Sequence, residues 1–168
     1  MRDIETEIET ELDARDERYL REAIALSARS RHEGHHPFAA LVVAADGEVL
    51  ARAFNAYHSD CTGHAEVNAL RLAWARLGGD AAGALAGATL YTSAEPCAMC
   101  AGAVYWSGLS RVVYALSESR LLALTGSHSE NPTLALPCRE VFARGQRRVE
   151  VLGPFLEDDA AAPHAGFW

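Results

Sequence analysis

Two short segments constrain this chain more than anything else in it: His64-Ala65-Glu66 and, about thirty residues on, Pro96-Cys97-Ala98-Met99-Cys100. A histidine and two cysteines are donors that zinc takes, so the fold has to bring the two segments together. Cys97 and Cys100 are three apart and share one face of a helix. Pro96 fits the first turn of that helix, where its missing N–H costs nothing. Unpaired N–H groups and the helix dipole in a first turn favour negative charge, and so the thiolate that zinc binds. His64 stands at the start of a second expected helix. Two helix starts facing each other make a metal cleft.

Three protein ligands leave one position for water, which is the catalytic arrangement of zinc. Glu66 is then placed to move protons rather than to bind metal. The expected chemistry is hydrolytic: metal-activated water is the nucleophile, and Glu66 takes its proton and passes it to the reacting group. Other readings of these residues stand beside this one. A C-x-x-C spacing also serves redox pairs, and Cys61, three before His64, would complete a structural tetrahedron of four ligands. That arrangement leaves Glu66 without a purpose. Cys138 reads as a small buried hydrophobe. The other histidines, including His32, His35, His36 and His58, read as surface or loop residues rather than ligands.

The chain's 168 residues suit one compact domain. Its formal net charge is −8. A surface that binds phosphates needs concentrated positive charge, and the densest basic spot is the pair Arg147-Arg148. The balance points to a small-molecule substrate and away from nucleic acid. No apolar run approaches the ~20 residues that span a membrane. The acidic start, Met1 to Glu5, lacks the apolar core of a signal peptide, so a cytoplasmic location is expected.

Periodicity predicts a helix over 16–31, with Leu20, Ala23, Ile24 and Ser27 or Ala28 on one face and Gly34 as its stop. A hairpin turning at Asp46-Gly47 joins strands over 38–44 and 49–54. Residues 55–63 read as a loop, 64–77 as a helix and 80–88 as an Ala and Gly linker. A strand over 89–92 leads to the helix running from Pro96 to Ser107. Further strands are expected over 111–115 and 149–152, with short helices over 117–122 and 137–143. Strands separated by helices predict an α/β fold: a three-layer α/β/α arrangement around a mixed sheet. The domain expectations are a flexible N-terminus over 1–12, one zinc-dependent catalytic domain over 13–153, and a C-terminal tail over 154–168 without clear periodicity.

These motifs resemble the cytidine deaminase-like superfamily, and within it the guanine deaminase-like nucleobase deaminases, over roughly residues 16–155. Zinc nucleobase deaminases carry H-x-E…P-C-x-x-C. His35 to Val43 is similar to the family's G-x-P-F-G-A-V-I-V strand, which includes Phe38. Asp60 to Leu70, with Ala65 between His64 and Glu66, resembles D-P-T-A-H-A-E-x-x-A-I. Leu90 to Trp106 is similar to L-Y-T-S-C-E-P-C-P-M-C-L-G-A-I-Y-W. The resemblance implies a five-stranded mixed sheet, one zinc per chain and a homodimer, with tail exchange between subunits in some relatives. It implies a base contact from Asn55 and a pocket shaped by Phe38, Ala65 and Trp106. It also implies a second catalytic carboxylate near the leaving amine, for which Glu130 is the candidate, and places His128 where relatives stack an aromatic on the base. Trp168 belongs to a tail that closes over the site in several relatives. The chain departs from the pattern at His36, Cys61, Gly63 and Ala94, all flanking the pocket.

The main expectation is hydrolytic deamination of a free base: guanine or a related amino-substituted pyrimidine, purine or triazine. The alternatives are tRNA adenosine deamination and a non-catalytic zinc-stabilised module that binds nucleotides or a partner. The absence of a basic C-terminal helix weighs against the first alternative, and the intact Glu66 against the second.

Overall fold

A computed structural model describes residues 11–168. Most of the 1–12 segment lies outside the described residues. Helix α1 (Ala14–His32) opens with Asp13 capping the Asp16 amide at 2.7 Å. Asp16 and Glu17 fill its first turn and Arg29, Arg31 and His32 its last, matching the helix dipole. Strands β1 (Ala39–Val43) and β2 (Val49–Phe54) form the expected hairpin. Next come α2 (Ala65–Leu77), α3 (Ala81–Ala86) and β3 (Thr89–Ala94). Then follow α4 (Ala98–Ser107), β4 (Arg111–Leu116) and α5 (Glu118–Thr125). The chain ends through α6 (Cys138–Ala143), β5 (Glu150–Leu152) and α7 (Glu157–Ala161).

The five strands make one mixed sheet in the order β2-β1-β3-β4-β5. β1 runs antiparallel to β2 and β3, whereas β3, β4 and β5 are mutually parallel. Both faces are covered, so β1 is apolar at every position, β3 is buried throughout and β4 is buried beyond Arg111. Ala40, Val42, Leu90, Val112 and Tyr114 face a core shared with α2, α4 and α6. Leu41, Val43, Tyr91, Val113 and Ala115 face a second core shared with α1, α5 and α7. This is the expected three-layer architecture.

Several expectations need correction. Residues 80–88 are not a linker: Ala81–Ala86 is a helical turn that buries Ala81 and Leu85. Alanine is the best helix former, and its run outweighs the single Gly83. Pro96 precedes the first turn of α4, because Cys97 is the cap residue. On α1 the buried stripe runs through Asp16, Tyr19, Leu20, Ala23, Ser27 and Ser30, leaving Ala28 exposed. The tail is not structureless, since α7 and a 3-10 turn at Ala162–His164 order it. No helix among the described residues is long and apolar enough to cross a membrane.

Candidate active site

Two helix starts meet at one end of the second core's opposite layer. His64 is the cap residue of α2, Cys97 that of α4, and Cys100 lies one turn into α4. Their donor atoms form one group, with Cys100 buried. Zinc bonds of about 2.3 Å to sulfur and 2.0–2.1 Å to nitrogen, at a tetrahedral angle, set nitrogen and sulfur roughly 3.5 Å apart. His64 Nδ1 lies 3.6 Å from Cys97 Sγ and 3.5 Å from Cys100 Sγ. The residues therefore fit one zinc ion. Cys61 is exposed and stands outside the group, so the four-ligand structural reading fails.

The electrostatics of the donors agree. The neighbouring Cys100 thiol and His64 hold the Cys97 thiol down at about 4. The Cys97 thiolate and burial push the Cys100 thiol well up. Two sulfurs this close cannot both ionise without a cation between them. Glu66, two residues into α2, is 6% exposed, and Cys100 Sγ lies 3.6 Å from its Oε2. Burial first, and then the Cys97 charge, raise its carboxyl to about 7.

These groups floor a cavity of about 340 Å³, a size that takes a small ligand. Phe38, Asn55 and Glu130 line it as expected. Asn55 is buried and its Oδ1 accepts the Tyr57 amide at 2.8 Å, which leaves its amide nitrogen for a ligand. Glu130 sits on the rim, 2.7 Å from His36 Nε2. The His36 side chain is only 3% exposed, so the expectation of a surface histidine was wrong there. Its ring is stacked on Tyr57 and wedged against Trp168.

The other expected substrate contacts fall outside the cavity. Ala65 is fully buried behind its wall. Trp106 is 84% exposed, because six residues past Cys100 turns it to the far side of α4. His128 accepts the Glu130 amide and meets Trp168 edge-on instead of lining the cavity. Trp168 backs the wall from outside, against His36 and Phe38. The segment from Ser129 to Leu134, rather than the tail, borders the opening.

Two carboxylates escaped the sequence reading. Glu118, the first residue of α5, lines the cavity with 8% exposure. Burial first, then the charges of Cys97, Glu95 and Glu66, raise its carboxyl to about 8. Glu95 is buried and accepts the Glu118 amide at 3.0 Å through one oxygen and the Cys138 amide at 3.0 Å through the other. It thereby caps α5 and α6 at once and ties both to the cysteine loop. The Glu-Pro-Cys stretch was the available signal for it. Cys138 is an inert buried thiol, pushed up to about 12 by burial. Arg147 donates to the carbonyls of Leu109, Val104 and Tyr105, which withdraws half of the basic pair from any outward-facing surface.

Residues 13–116 match the family model described as the cytidine and deoxycytidylate deaminase zinc-binding region. The chain is 42% identical over 160 residues to the protein named probable cytosine deaminase in Schizosaccharomyces pombe, spanning 95% of this chain and 96% of that one. It is 40% identical over 101 residues to the tRNA-specific adenosine deaminase of Bacillus subtilis, spanning 59% of this chain and 60% of the relative. Its fold matches the solved guanine deaminase of Nitrosomonas europaea with a TM-score of 0.73 at 27% identity, over 92% of this chain and 84% of that one.

Proposed function

We propose, from the premise that this chain belongs to the cytidine and deoxycytidylate deaminase zinc-binding family, that it hydrolyses the exocyclic amine of a free nucleobase and releases ammonia. The observation that carries the reading is an open three-donor zinc site beside buried Glu66, at the floor of a small cavity. His64, Cys97 and Cys100 would hold the metal. When bound there, zinc lowers the pKa of a water molecule and so supplies a nucleophile at neutral pH.

The chain's own residues do the rest. Asn55 and Phe38 hold the ring, the first by its free amide nitrogen and the second by an apolar face. Glu66 accepts the proton of the attacking water and passes it to the ring nitrogen next to the reacting carbon. A carboxyl near 7 suits both halves of that transfer at neutral pH. The same group then takes the remaining proton of the added hydroxyl and gives it to the amine, which leaves as ammonia while the ring carbon keeps the water's oxygen. Glu118 in its acid form both donates and accepts, and so matches the donor–acceptor edge of an amino-oxo ring. Glu130 remains the candidate for a second proton carrier at the rim.

Cytosine and guanine head the candidate substrates, since one relative named for the first and one fold neighbour named for the second each span more than nine-tenths of the chain. The test is ammonia release from cytosine, guanine, isocytosine, isoguanine, adenine, aminotriazines and the matching nucleosides. Release from at least one free base, lost by about 10²–10⁴-fold in Glu66→Gln with zinc content unchanged, is the expected result. Editing of tRNA with no activity on any free base would overturn the reading. Ammonia release unchanged in Glu130→Ala would remove Glu130 from the mechanism and leave the remainder standing.

A further inference from the structure

The cavity mouth holds a second constellation of metal donors, separate from His64, Cys97 and Cys100. His36 leads from α1 towards β1, and its carbonyl accepts the Ser30 hydroxyl at 2.7 Å. Tyr57 stacks on its ring at 4.7 Å, and Trp168 meets it edge-on at 5.1 Å. These contacts orient the ring, with Nε2 on Glu130 at 2.7 Å. The loop after β2 swings exposed His58 to the same place, with its ring 5.4 Å from that of His36. One donor atom each from His36, His58 and Glu130 lies within 4.8 Å of the others. His128 lies beside them, its Nδ1 accepting the Glu130 amide at 3.3 Å.

We propose that His36, His58 and Glu130 form a second site for a divalent transition metal at the mouth of the cavity. Two imidazoles and a carboxylate are the donors that zinc, cobalt and nickel take, leaving coordination positions for water. The site contains no sulfur, which separates it chemically from His64, Cys97 and Cys100. Stacking has already fixed His36, so little side-chain freedom is lost on binding. The ion replaces the hydrogen bond between His36 and Glu130 and draws in His58. Because His36 and Glu130 both line the cavity, an ion there narrows the path to Glu66.

The experiment adds Co2+ to the zinc-loaded protein and follows its absorption and stoichiometry. The expected result is one further cobalt per chain, with d–d bands and no thiolate-to-cobalt charge transfer. His58→Ala weakens this uptake by at least about 10-fold. His58 is exposed and lies outside the cavity lining, so that variant keeps its fold and its first zinc. His32→Ala, an exposed histidine elsewhere, leaves uptake unchanged. No further cobalt, a charge-transfer band that places the ion on cysteine, or equal uptake by His58→Ala would each overturn the proposal.

Discussion

At the scale of single residues, Glu118 is the group whose substitution says most about the substrate. A carboxyl raised to about 8 is largely protonated at pH 7 and acts as a neutral donor and acceptor. Glutamine has the same shape and the same pair of functions. Glu118→Gln should therefore keep most activity, whereas Glu118→Ala should lower kcat/KM by about 10-fold or more, mainly through KM, with zinc content intact. Equal effects of the two substitutions on KM would show that Glu118 does not bind substrate as an acid. The grouping of His64, Cys97 and Cys100 beside Glu66 was legible in the sequence because helix geometry fixes their spacing within two short segments. Glu118 was not, because its burial depends on β4 ending beside Glu95, and nothing local in Ser117-Glu118-Ser119 announces that. His36 was missed for a related reason. A histidine at a helix exit reads as surface until Tyr57 and Trp168, from distant parts of the chain, close over it.

At the scale of elements, one buried polar knot joins α1 to the sheet. Asp16 accepts two hydrogen bonds from Arg111, at 2.8 and 2.6 Å, and one from the Tyr91 hydroxyl at 2.6 Å. Burial pushes the Asp16 carboxyl up, but the bonds from Arg111 and Tyr91 outweigh it and hold the group below its usual 3.8. A carboxyl lowered by folding stabilises the fold above its unfolded value and loses that contribution as pH falls through the folded one. Asp16→Asn should cost about 2–3 kcal/mol at pH 7, since it removes the buried partner of Arg111 and leaves only the exposed Glu150. Urea denaturation at pH 7 and at pH 3 checks this: the gap between variant and wild type should shrink at the lower pH. A gap that is the same at both would deny Asp16 its charged role. This knot was invisible in the sequence, where an aspartate in a first helical turn reads as a dipole partner. The hairpin, α2 and α4 were legible because their turn residues and apolar periods are local. Segment 80–88 and the tail were misread because helices of five or six residues carry too few periods to register.

At the scale of the whole molecule, the tail is the part whose docking responds to pH. Arg31 from α1 donates to the carbonyls of Pro163 and Ala165, which brings His164 into the core beneath Phe38. His164 is 2% exposed, and its Nδ1 accepts the Trp168 indole N–H at 3.0 Å. An indole only donates, so Nδ1 carries no proton and the ring is neutral. Burial lowers His164 to about 4 from an ordinary 6.5. Below pH 6.5 a released tail takes up a proton that the docked tail refuses. Docking therefore weakens from pH 6.5 down to about 4, by about 3 kcal/mol at most. Trp168 also wedges His36 and touches Phe38, both of which line the cavity, so a loosened tail reaches the substrate site through its wall rather than by uncovering its mouth. Hydrogen-exchange protection of residues 160–168 should fall between pH 7 and pH 5, with KM rising in step. In His164→Asn, an amide oxygen stands close to the place of Nδ1 and does not titrate, so protection should stay level across that range. Wild-type protection that is flat between pH 7 and pH 5, or a variant that falls as steeply as the wild type, would separate the tail's docking from His164. If protection falls while KM holds, the tail is a packing element with no hold on the substrate site.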